Sequence, residues 1–411
     1  MPPFPLHLAA LFSEPVMYLI YGLIGFGFGY ALEISGFNDA PRLAAQFYFK
    51  DLRVLKVMFT AIVVAMVLTF LAVGIGILDY NLIWVNPTYL WSGIVGGLIM
   101  GVGFIVGGFC PGTSVVAAAT LKIDGILFVL GGLVGATLFG ESERFFPHFY
   151  NGSYFGRVTL MDFFNLPAGV VVLLVVLMAL FMFWGGEQLE RIIGKKDLSQ
   201  ESRLRYGGAG ALVLGAFAVI LVGMPSNADR WARIAPEQQL KLDERSIYVH
   251  PGELLYTMHD HKVNLIMIDL RSETDFNMFH IAGARNIQPE RLPEMIGEMH
   301  LEPANTVFML IDNDEELVVE VWKYLVAESM PNVYILDGGL NNWLATFWDD
   351  EAGIAPAAQP VSGQLNWDFA AVLGGAYVAS DPDPHHWEPL VAYTPNIKLE
   401  LKRAPTSGGC G

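Results

Sequence analysis

Six long apolar stretches crowd the first 225 of 411 positions, and they constrain this chain more than any other feature. They lie at 16–32, 57–78, 92–121, 125–140, 167–184 and 207–224. A helix needs about 20 apolar residues to cross a hydrocarbon core of ~30 Å, since backbone N–H and C=O groups find no water there. The third stretch is too long for one simple span. Thirty residues of straight helix would reach about 45 Å. It is interrupted by Gly107-Gly108-Phe109-Cys110-Pro111-Gly112-Thr113, which cannot continue a helix smoothly. Irregular backbone at membrane depth needs protein or a polar cavity around it, so a broken or re-entrant helix is predicted. The N-terminal MPPFPLHLAALFSEPV has no positive n-region of a cleaved signal peptide, and the first apolar stretch is expected to be retained.

Charge divides the chain in two. Residues 1–225 carry 12 Lys/Arg against 13 Asp/Glu, whereas residues 226–411 carry 12 against 28, so the second part holds nearly all of the −17. An acidic soluble part excludes nucleic acid as a partner, since phosphate demands positive charge. Among the connections, Arg42, Lys50, Arg53, Lys56, Lys122, Arg191, Lys195, Lys196, Arg203 and Arg205 fall on one side, and only Arg144 and Arg157 on the other. Positive connections stay in the cytoplasm. With six crossings, residues 226–411 are then expected outside it, in the periplasm of a bacterium whose inner membrane holds the helices. Trp84, Tyr89, Trp91 and Trp184 suit interfacial positions.

Cys110 stands where one helix ends and a half-helix, 113–121, begins. The opening of a helix presents unpaired N–H groups and a positive dipole end, which favour an anion. A soft sulfur beside that field suits a sulfur-containing anion. A buried cysteine in a glycine-packed helix contact is the other reading of the same residues. The run Gly108 to Thr113, with Gly25-Phe26-Gly27-Phe28-Gly29 and Gly36-Phe37 earlier, resembles the YeeE/YedE family of sulfur-compound (thiosulfate) transporters over residues 15–185. The resemblance implies Gly108, Cys110, Pro111, Gly112 and Thr113 as substrate-binding positions, with a sulfur anion as ligand. Full-length members hold two pseudo-symmetric halves and several cysteines, whereas this chain has one half and one intramembrane cysteine. A second membrane half (a homodimer or a separate subunit) or a larger membrane complex is therefore implied.

After a polar connection at 226–244, strands at 266–270, 306–311 and 333–336 alternate with helices at 289–299, 317–329 and 340–346. That alternation predicts a parallel sheet covered by helices on both faces. Asp269-Leu270-Arg271 with Glu273, then Phe279-His280-Ile281-Ala282-Gly283-Ala284, then Leu336-Asp337-Gly338-Gly339-Leu340 with Trp343, resemble a rhodanese domain over 245–348. A rhodanese carries a nucleophilic cysteine after its central strand. Here the corresponding loop reads Asp312-Asn313-Asp314-Glu315-Glu316. It has no nucleophile, and its carboxylates would repel an anionic donor. The domain is expected to be inactive, a docking module and not an enzyme. His259, His261, His280 and His300 show no metal spacing, and no cofactor is called for.

Residues 349–411 are rich in Pro, Ala, Gly and acidic groups and read either as a linker or as an arm laid over partners. About 60 free residues would span roughly 40–45 Å. The end, Ser407-Gly408-Gly409-Cys410-Gly411, resembles the Gly-Gly-Cys-Gly swinging arm of the carrier protein of periplasmic thiosulfate oxidation, which makes Cys410 a candidate sulfur carrier; an incidental terminal thiol is the other reading. The expectation is thus a polytopic α-helical membrane domain (1–225, about six spans, one broken at Cys-Pro-Gly), a linker (226–244), an α/β rhodanese-like domain (245–348) and an extended tail. It would bind or transport reduced sulfur anions, or serve as a non-transporting accessory subunit of a membrane electron-transfer complex.

Overall fold

A computed structural model of the chain describes residues 3–6, 8–195, 204–347, 354–369, 379–387 and 389–400. They form two compact units, divided between Met224 and Pro225. Each has its own core.

The first unit is helical: α1 (Glu14–Ile34), α2 (Arg53–Gly74), α3 (Leu90–Gly107), α4 (Pro111–Ala119), α5 (Ile123–Ser142), α6 (Ala168–Ile192) and α7 (Leu204–Val222). Counting α3 and α4 together, six helices among the described residues are long and apolar enough to cross a membrane. Helices α2, α6 and α7 pack on one another through Val63, Val67, Val172, Val176, Ala179, Ala216 and Val219. By contrast, α1 and α3 bury none of their residues, so their apolar side chains face outward, as lipid or a further helix would require.

The second unit is an α/β domain. It comprises α8 (Asn227–Asp243), β1 (Tyr248–Val249), α9 (Pro251–Met258), β2 (Asn264–Asp269), α10 (Glu273–Met278), β3 (Arg285–Asn286), α11 (Leu292–Met299), β4 (Thr306–Ile311), α12 (Glu316–Ala327), β5 (Val333–Leu336) and α13 (Gly339–Phe347). The five strands form one parallel sheet in the order β1-β5-β4-β2-β3. Successive strand side chains point to opposite faces, and the core divides accordingly. Ile266, Ile268, Phe308 and Leu310 meet Leu242 of α8, Ile296 of α11 and Trp322 of α12. Met267, Val307, Met309 and Ile311 meet Leu254 of α9 and Trp343 of α13 on the other face. Strands β1 and β3 have only two residues each, too short for a periodic signal.

Two segments are more ordered than the sequence suggests. The polar connection at 226–244 is mostly helix α8. Ser226 caps it in a reciprocal exchange with Asp229, Arg230 pairs with Glu328, and the Trp231 ring meets Trp322 edge-on. The described tail is not a free arm. Strands β6 (Ile354–Pro356) and β7 (Trp367–Phe369) form an antiparallel hairpin, whose Ile354, Leu365, Trp367 and Phe369 pack on the same face as Trp343. Farther along, the Asn396 and Ile397 N–H groups donate to the buried Glu253 carboxylate at 2.8–2.9 Å. The Glu400 N–H then donates to Asn332 Oδ1 at 2.7 Å. Cys410 lies outside the described residues, and ten residues beyond Glu400 bound its reach to about 35 Å by contour length.

Candidate functional site

The break in the third span is built from both sides. Gly108 ends α3 with a left-handed conformation (φ 74°), and a Cβ there would fall 2.8 Å from Ala40 Cβ. The connection after α1 therefore lies directly against the break. Phe109 is buried and packs edge-on against Phe128 of α5, in a cluster with Phe37, Leu43, Val54 and Ala117. Lys122 Nζ donates to the Asn38 carbonyl at 2.9 Å, tying the same connection to the start of α5. Gly125 permits the turn from α4 to α5, since a Cβ would lie 2.5 Å from Ala117 Cβ.

Within that frame Cys110 is the N-cap of α4. Its Sγ accepts from the Thr113 N–H at 3.4 Å, while Thr113 Oγ1 accepts from the Cys110 N–H at 3.0 Å. This is the reciprocal capping arrangement of a helix start, with sulfur in place of the usual oxygen. Thr113 and Ser114 are buried and Cys110 is half-buried. Pro111 occupies the first helical position, where a missing N–H costs nothing. Of the five positions singled out in the sequence, Cys110 and Thr113 are brought into contact. Gly108 and Pro111 shape the backbone that aligns them, and Gly112 sits in the first turn of α4.

Sequence reasoning missed a second polar feature of this unit. Glu190 of α6 is fully buried; its Oε1 accepts from the Leu52 N–H at 2.6 Å and its Oε2 pairs with Lys56 at 2.6 Å. A carboxylate from one helix thus satisfies the opening of another, α2, whose Val54 lies in the cluster that holds Phe109. The available signal was a pair of opposite charges at the ends of two apolar stretches.

In the second unit, the loop after β4 places Asp312 and Asn313 in buried positions and Asp314 to Glu316 at the opening of α12. Burial pushes the Asp312 carboxyl above its ordinary value. The Asn313 N–H opposes that shift and the charges of Asp314 and Asp269 add to it. Arg271 is 3% exposed and grips Asp269 through Nε (3.0 and 3.2 Å) and Nη2 (2.7 Å). It also donates to the Phe279 carbonyl at 2.6 Å. Glu315 accepts from the Gly338 N–H at 2.8 Å and pairs with Arg245. Gly339 (φ 59°) lets the next turn approach, since a Cβ there would be 2.5 Å from the Asp312 carbonyl oxygen. His300 is buried, whereas His280 stacks on Phe276 and is hydrogen-bonded to its carbonyl. Among the described residues no three His, Cys, Asp or Glu side chains form a metal-binding group.

These features define a multi-pass membrane protein with a helix broken at a cysteine, joined to a parallel-sheet α/β domain. Residues 37–235 match the family model for sulphur transport, and residues 250–346 match that of the rhodanese-like domain. The chain is thus a sulphur-transport domain of the YeeE/YedE type fused to a rhodanese-like domain. It is also similar to thiosulfate sulfurtransferases named GlpE. That of Pseudomonas putida (strain F1) is 27% identical over 115 residues, 28% of this chain and 86% of the relative. That of Ectopseudomonas mendocina is 29% identical over 87 residues, 21% of this chain and 77% of the relative. That of Pseudomonas aeruginosa PAO1 is 25% identical over 120 residues, 29% and 90%. No solved structure matches the chain.

Proposed function

We propose that the membrane domain binds or carries a reduced sulfur anion such as thiosulfate at the Cys110 break, in a bacterial inner membrane, and that the rhodanese-like domain is a catalytically inactive docking module on the periplasmic side. The observation that carries the reading is the Cys110 thiol capping α4 inside a sulphur-transport domain. Sulfur and the positive end of the helix act on the same small volume. The outward apolar faces of α1 and α3 support a second membrane half, either another copy or a separate subunit, as the partner that completes the pathway. Inactivity follows from chemistry. The loop after β4 has no cysteine, and its carboxylates accept hydrogen bonds where an active loop would offer N–H donors to an anion. Cys410 remains a candidate sulfur carrier within its ~35 Å contour.

The test is uptake of labelled thiosulfate by cells expressing the chain with its partners, with their membranes assayed in parallel for thiosulfate:cyanide sulfurtransferase activity. Cys110→Ala is expected to abolish uptake and Cys110→Ser to retain a small part. Unchanged uptake in a well-expressed Cys110→Ala variant would make Cys110 a packing residue. Sulfurtransferase turnover persisting in Cys410→Ala would overturn the inactive reading.

A further inference from the structure

The tail hairpin meets the rest of the second unit at one particular place. Its turn, between β6 and β7, lies against the loop after β4. The Gly363 N–H donates to Asp314 Oδ2 at 2.6 Å, and Asn313 Nδ2 donates to the Gly363 carbonyl at 3.1 Å. Two successive loop residues therefore hold both backbone polar groups of one turn residue. A second pair of contacts comes from α13: Asn341 Nδ2 donates to the Gln364 carbonyl at 2.9 Å, and its Oδ1 accepts from the Asn366 N–H at 2.7 Å. Beneath the turn, Leu365, Trp367 and Phe369 add to the apolar face that contains Trp343.

We propose that loop 312–316 is a receptor for the chain's own β6–β7 turn, which plugs the mouth of the rhodanese-like domain in place of a diffusible anion. The chemistry of the loop is inverted to suit that occupant. An anion-binding loop turns N–H donors toward its ligand. This one offers the Asp314 carboxylate to the N–H of a turn and the Asn313 amide N–H to its carbonyl, a pairing that complements a backbone turn, while its carboxylates repel a free anion. Of the other carboxylates, Glu315 is engaged within the domain, with Arg245 and the Gly338 N–H. Because the plug is tethered, its effective concentration exceeds that of any dilute competitor. The acidic run thus has a constructive role and is more than a lost active site. The proposal goes beyond the inactive-domain reading and is independent of transport at Cys110.

Hydrogen–deuterium exchange of the full-length chain in detergent tests it, read on peptides covering the turn (357–366) and β4 (306–311). The turn should exchange slowly in the wild type. Asp314→Ala should speed its exchange about tenfold while β4 stays unchanged, and Asp314→Asn, which keeps an oxygen acceptor, should remain within about threefold of wild type. Should Asp314→Ala disturb β4 as well, Gly363→Pro removes the donor from the tail side and forces the turn out of its left-handed φ of 78°, so it should release the turn while β4 stays unchanged. Millimolar thiosulfate should change neither peptide. A wild-type turn that exchanges like unbonded chain, or one indifferent to both Asp314→Ala and Gly363→Pro, overturns the proposal. So does thiosulfate that protects 312–316 while releasing the turn. Absent uptake with a protected turn would defeat the transport reading and leave the plug standing.

Discussion

Replacing Arg271 by Met should be among the most damaging single changes in the second unit. Its guanidinium is enclosed with Asp269, itself 0% exposed, and joins β2 to the Phe279 segment and, through Nη1, to Asn313 at 3.5 Å. Methionine keeps the apolar stem but removes the Nε and Nη2 donors, leaving the buried Asp269 carboxylate with the residue 271 N–H (3.0 Å). Breaking a buried pair from one side costs about 3–5 kcal/mol, and losing the donor to the Phe279 carbonyl adds about 1 kcal/mol. Retained burial of the stem offsets about 1 kcal/mol. The net loss is then about 4 kcal/mol, a large share of the ~5–15 kcal/mol typical of a domain. Urea unfolding of a 225–405 fragment, followed by the fluorescence of buried Trp322 and Trp343, should show the midpoint falling by about 2 M for a slope of about 2 kcal/mol per M. The double variant Asp269→Leu, Arg271→Met leaves no unpaired charge and should recover at least ~2 kcal/mol. A loss below ~1 kcal/mol, or a double variant no more stable than the single one, would show that ion pairing is not what this site contributes.

Two further outcomes are expected. The folded domain raises the Asp312 carboxyl above 3.8, chiefly through burial, so its cost to stability is absent well below that value, builds up as pH rises from there toward the folded pKa, and is complete above it. Asp312→Asn should therefore stabilise the fragment at pH 7 and not at about pH 3.5; equal gains at both would point to packing or hydrogen bonding instead. An impermeant thiol reagent applied to intact cells should label Cys410 if the second unit is periplasmic, and labelling that requires lysis would reverse the orientation.

Much of this protein could be read without coordinates, because the relevant information is local. Apolar run length marked the spans, the Gly-Gly-Phe-Cys-Pro-Gly sequence marked the break between α3 and α4, and short apolar runs alternating with helical segments marked β2, β4 and β5. The family motifs pointed to the two domains that the comparisons match. All of these are properties of a dozen or so neighbouring residues, where helix and strand periods and special backbone angles are written.

What only the tertiary structure decided is which distant groups satisfy one another. Glu190 serves the opening of α2 from 138 positions away, and Asn38 meets Lys122 across 84. Glu253 receives the N–H groups of Asn396 and Ile397 across more than 140. The tail seemed unpatterned because its order comes from hydrogen bonds and apolar contacts supplied by the domain beneath it, which no internal periodicity records. The acidic loop after β4 likewise looked only like the loss of a nucleophile. Its carboxylates acquire a purpose when the donors Gly338, Arg245 and Gly363 are brought within 2.5–2.8 Å of them. Sequence determines which groups the chain must satisfy, and the folded path determines where each partner comes from, because a buried polar group needs an acceptor or donor in space, at whatever separation along the chain.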